Sequence, residues 1–131
     1  MKIETTILKN LLQNEDYARK VLPFLNDEYF TENSDKIIYN QINNFILKYN
    51  SLPNKEALNI ELSEAKITEE DFKESINLIN EIGKDDQEFS DLSWLLDSTE
   101  KFCQDKAIYN AVVESISILD NPKSTTDKGA I

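Results

Sequence analysis

Carboxylates are the one reactive group this sequence carries in quantity. Glu69-Glu70-Asp71, and Asp85-Asp86 with Glu88, are the residue types that ligate a hard cation. Neither cluster has the spacing of a calcium-binding loop, whose sharp turn needs a glycine that is missing here. Runs of charge are usually solvated, so the two clusters read as a helix N-terminus and a loop. A glycosidase-like acid–base pair would need two particular carboxylates, and nothing selects one pair among 25 acids. Cys103 stands beside Lys101 and Lys106 in a helix interior. A reactive thiol wants an electropositive, partly exposed place, so Cys103 reads better as a small buried hydrophobe. With no histidine there is no imidazole base, imidazole ligand or Ser-His triad. With only Gly83 and Gly129, neither a phosphate-cradling P-loop nor a dinucleotide-binding turn can be built. The sequence nominates no catalytic, cofactor-binding or metal-binding residue, and these 131 residues read as non-enzymatic.

Charge limits the partners. There are 25 acidic and 14 basic residues, a formal −11, and Arg19 is the one arginine. Nucleic-acid binding leans on clustered Arg and Lys that displace counterions, so strong binding by this chain is not expected. Tyr29, Phe30, Tyr39, Phe45 and Tyr49 have the ring chemistry to stack on single-stranded bases. Their neighbours Asp27, Glu28, Glu32 and Asp35 give the wrong sign for that, and core packing is the expectation. A single cysteine excludes a disulfide framework and suits a reducing compartment. No apolar run approaches a bilayer's width and the N-terminus lacks a secretory signal, so a soluble, cytoplasmic protein without membrane contact is expected.

The elements that position these residues are helices. Apolar residues recur at helical spacing almost throughout, without clean alternation, which predicts an all-α fold. Ile3, Ile7, Leu8, Leu11 and Leu12 predict a first helix over Ile3–Gln13. Asn14 caps a short second helix that ends near Leu22, ahead of Pro23. Phe24, Leu25, Tyr29 and Phe30 predict a packed turn with its aromatics tucked under neighbouring helices. Asn33 or Ser34 caps a third helix with the face Ile38, Ile42, Phe45, Ile46 and Tyr49. Asn50-Ser51-Leu52-Pro53 stops it, and Pro53-Asn54 opens a fourth through Ala57, Leu58 and Leu62. Thr68-Glu69-Glu70-Asp71 resembles a capping box for a fifth, carrying Phe72, Ile76, Ile79 and Ile82 to a C-cap at Gly83. Residues 84–90 read as a loop and 123–128 as a polar tail.

The last helix is the longest, from Asp91 to about Leu119, with Pro122 shortly after. Its first half shows one seam, Leu92, Leu95, Thr99 and Phe102, and Trp94 is expected in the core. In residues 108–119 eight of twelve are apolar, with Asn110, Glu114 and Ser117 on one narrow strip. Such a helix must be covered on more than one side. A self-contained bundle would supply that cover; so would another subunit, or a helix outside this chain.

Several stretches resemble a known family. Tyr17-Ala18-Arg19-Lys20-Val21-Leu22-Pro23-Phe24, then Asp27-Glu28-Tyr29-Phe30, is similar to the start of the T-even-phage type of replicative helicase, one of the DnaB-like hexameric helicases. Tyr49-Asn50-Ser51-Leu52-Pro53-Asn54 and Glu56-Ala57-Leu58-Asn59 resemble the turn and helix that follow. Ser93-Trp94-Leu95-Leu96, Thr99-Glu100-Lys101 and Ala107-Ile108-Tyr109-Asn110-Ala111 resemble the opening of that family's long helix, and Gly129-Ala130-Ile131 the segment before its linker helix. The resemblance runs from about Asn14 to Ile131 and rests on order and spacing, without a catalytic signature.

It implies an N-terminal collar domain. Residues 1–90 would be a helical globule of about five helices, 91–121 the first arm of a helical hairpin, and 122–131 a tail toward a linker helix and an ATPase domain. Hairpins of that family pair between subunits of a hexamer, and the collar contacts primase. Tyr109, Val112, Val113 and Ile116 would then meet the neighbouring subunit, with primase and a helicase loader as further partners. No cofactor belongs to these residues; ATP and Mg would bind the parent's motor domain. Two other classes share the composition: a free-standing acidic all-α adaptor, such as a helicase loader or primase-binding module, and a small carboxylate enzyme.

Overall fold

The computed structural model describes residues 2–84 and 91–120. The Asp85-Asp86-Glu88 cluster, most of the expected 84–90 loop, Pro122, the polar tail and Gly129-Ala130-Ile131 lie outside them. The described residues form α1 (Ile3–Gln13), α2 (Glu15–Val21), 3-10 turns at Leu22–Phe24 and Asp27–Tyr29, α3 (Asn33–Tyr49), α4 (Lys55–Ser63), α5 (Glu69–Ile82) and α6 (Leu92–Asp120). The fold is all-α.

Side-chain caps set most of the boundaries. Asn14 Oδ1 accepts the Tyr17 amide at 3.0 Å, Asn54 Oδ1 that of Ala57 at 2.7 Å and Thr68 Oγ1 that of Asp71 at 3.1 Å. Each fills one of the amides that a helix start leaves unpaired. Asn50 ends α3 in the left-handed region at φ 55°, its amide donating to the Ile46 carbonyl at 2.7 Å. One boundary differs from expectation. The residue before α3 is Glu32, without a side-chain cap bond, because the helix already includes Asn33 and Ser34. Gly83 is the C-cap of α5, as expected, with an ordinary right-handed φ of −84°. Its need for glycine is steric, since a Cβ there would lie 2.8 Å from the Ile79 carbonyl oxygen and 3.1 Å from Lys55 Cδ.

One core joins the helices. Ile7, Leu8 and Leu11 of α1 meet Tyr17 of α2, Ile38 and Ile42 of α3, Leu58 and Leu62 of α4, and Ile79 and Ile82 of α5. Leu95, Phe102 and Cys103 of α6 complete it. Phe30 is fully buried, with its ring centroid 5.4 Å from Tyr39 and 5.8 Å from Phe102. The aromatic turn is packed only in part, for Phe24 stands exposed while Phe30 is buried. Core packing also fails for Tyr49, which is exposed with its ring 4.7 Å from that of Phe45. The third helix outruns the neighbours that could cover its end.

Candidate interaction surface on the last helix

The first half of α6 is fixed by its seam. Leu95 and Thr99 are fully buried. The Thr99 hydroxyl donates to the Leu95 carbonyl at 2.7 Å, so the 2.6 Å bond between Tyr17 Oη and Thr99 Oγ1 must have Tyr17 as its donor. Burial pushes the Tyr17 phenol up to about 12, which keeps it protonated as that role requires. Further along, Lys106 Nζ donates to Thr31 Oγ1 at 3.3 Å and Asn110 Nδ2 to the Glu28 carbonyl at 3.1 Å. These bonds tie α6 to the second 3-10 turn and to Thr31 just after it.

Past Asn110 the helix continues to Asp120, about 15 Å at 1.5 Å per residue. Most apolar side chains of this end, from Ile108 on, stay in solvent: Tyr109 is 63% exposed, Val112 51%, Val113 45% and Ile116 52%. Ile108 and Leu119 are exposed beside them. At 100° per residue the six occupy one arc of about 140°, displaced by about a quarter turn from the buried seam. The expected interface residues therefore share a single face. Each is roughly half exposed, and fully burying a side chain of this size is worth about 1.5–3 kcal/mol. About half of that remains to be gained by covering the face.

Trp94 corrects an expectation. It is 53% exposed rather than in the core. Eighteen residues separate it from Val112, about five full turns, so it lies on the same line of the helix. That spacing was available in the sequence and was outweighed by the habit of aromatics to pack inside.

The other singled-out residues have structural places. Cys103 is buried, and burial pushes its thiol up to about 11, which fits a core hydrophobe rather than a nucleophile. Glu69, Glu70 and Asp71 form the first turn of α5, where they suit the helix dipole. Among the described residues no three His, Cys, Asp or Glu side chains group so as to hold a metal ion. No described helix is long and apolar enough to cross a membrane.

No family model matches the chain. Over 122 residues, 93% of its length, it is 31% identical to a DnaB-like replicative helicase of Enterobacteria phage T4. The match takes in 25% of that relative, so the chain spans about a quarter of its length. The resemblance read from the sequence is borne out by this likeness.

Proposed function

We propose, on the premise of that likeness, that the chain is the N-terminal collar domain of a phage replicative DNA helicase. In this reading residues 1–90 are the globule, 91–121 the first arm of a hairpin and 122–131 the lead toward a linker helix. The collar supports hexamer assembly and offers a surface to primase or a loader. ATP hydrolysis with Mg, and the grip on DNA, belong to other parts of the helicase. A chain at −11 suits a part that does not hold DNA.

The observation that carries the reading is the exposed apolar arc of α6. Large apolar patches rimmed by polar residues mark association sites, and Tyr109, Val112, Val113 and Ile116 form one on a projecting helix. The test is Val113→Asp with Ile116→Asp in the helicase carrying this chain, followed by sedimentation velocity at several concentrations. The hexamer should give way to smaller species. Unchanged assembly would remove this face from the subunit contact.

A further inference from the structure

A second feature lies on the far side of the globule. A cavity of about 270 Å³ opens where the starts of α1 and α3 meet α5. Four carboxylates, Glu32, Asp35, Glu74 and Glu81, line it against one ammonium, Lys2. Glu32, Glu74 and Glu81 are exposed at its mouth, whereas Asp35, at 3% exposure, is the most deeply buried residue of its wall. Asp35 Oδ2 has no hydrogen-bond partner among the described residues. An ionised oxygen in that position ordinarily finds a donor. Burial holds the Asp35 carboxyl above its ordinary range, with Lys2 pulling it back only in part.

The one cation among the described lining residues is weakly held. Lys2 Nζ reaches Glu32 Oε1 at 3.0 Å, with both side chains more than half exposed. An ion pair of that kind contributes about 0–1 kcal/mol and is easily exchanged. A metal ion is a poor occupant, because no three ligating side chains converge among the described residues. A guanidinium fits better. Its flat fork of five N–H donors serves several carboxylates at once, and it is less strongly hydrated than an ammonium.

We propose that this cavity receives an arginine side chain from a protein partner, which displaces Lys2 from Glu32 and donates to Asp35 while Glu74 and Glu81 hold it at the mouth. The site is independent of the α6 face and stands whether or not the collar reading does.

The test is an NMR titration of the labelled chain at physiological ionic strength with the capped tripeptide Gly-Arg-Gly, its Lys and Gln counterparts and magnesium chloride. The arginine peptide should shift the amides of Ser34, Asp35 and Asn77 saturably and bind about fivefold tighter than the lysine peptide, with no response to the glutamine one. Glu74→Gln with Glu81→Gln, both exposed and outside the core, should weaken it by about fivefold. Asp35→Asn should erase the preference for arginine, and the Glu pair decides the matter if that variant does not fold. Equal binding of arginine and lysine would overturn the proposal, as would indifference to the Glu74 and Glu81 changes. Saturation of the same amides by magnesium would replace it with an inorganic cation site.

Discussion

The two halves of α6 are one continuous helix with opposite surroundings. From Leu92 to Cys103 its seam is packed among α2, the 3-10 turns and the central core; from Ile108 onward most of its apolar residues face solvent. Apolar content alone would favour burying the distal half, which holds the larger share. What differs is the presence of a neighbour, and the apolar arc turns about a quarter turn away from the core just where the body ends. A helix is rigid enough to carry a hydrophobic face beyond its own domain, and that exposure costs the isolated domain little because the seam below already secures the helix.

The largest break in this comparison comes from truncating each half. Phe102→Ala removes a buried ring that touches Phe30 and should cost about 3–5 kcal/mol; Leu95→Ala should cost about 2–5 kcal/mol. Ile116→Ala in the unassociated chain should stay within about 0.5 kcal/mol of the parent. Urea unfolding at low protein concentration measures all three. Comparable losses in the two halves would mean that the distal face is already covered within the chain.

A chemical probe sharpens it next. Burial pushes the Cys103 thiol from an ordinary 9.0 to about 11, so at pH 8 only about one molecule in a thousand carries the reactive thiolate. In Val112→Cys the new thiol is half exposed and should alkylate with iodoacetamide about a hundredfold faster than Cys103. The Cys103 rate should rise with pH through about 11, or jump when the chain unfolds. Equal rates at pH 8 would sink the distinction.

Much of this was legible in the sequence, and for identifiable reasons. Asn14, Asn54 and Thr68 cap helices because their side chains compete locally for backbone amides, a signal contained in a few neighbouring residues. The Leu95, Thr99 and Phe102 seam was legible because burial imposes helical spacing. Phe24, Tyr49 and Trp94 were misplaced because their exposure depends on where a neighbouring element stops, which local pattern does not encode. Gly83 was correctly read as the C-cap of α5, but the close approach there of the Ile79 carbonyl oxygen and of Lys55 from α4 was not legible, because it depends on how the two helices pack. Nothing in the order of residues announced the cavity at Asp35; it forms only when the start of α3 is laid against α5 from forty residues away.

The smallest effect probes what ties the seam to the body. Thr99 Oγ1 gives its proton to the Leu95 carbonyl and accepts one from Tyr17. Tyr17→Phe leaves Thr99 with its donor role intact and only an acceptor unfilled, so the expected cost is about 1 kcal/mol. Thr99→Val instead strands the Tyr17 hydroxyl in a fully buried position, and an orphaned buried donor costs about 1–3 kcal/mol. The double variant removes both halves of the bond and should be more stable than the sum of the single losses predicts, a coupling that a double-mutant cycle in urea reads directly. Additive losses would mean that the two hydroxyls do not depend on each other. The hold of α2 on the last helix would then rest on the packing around Leu95 and Phe102 alone.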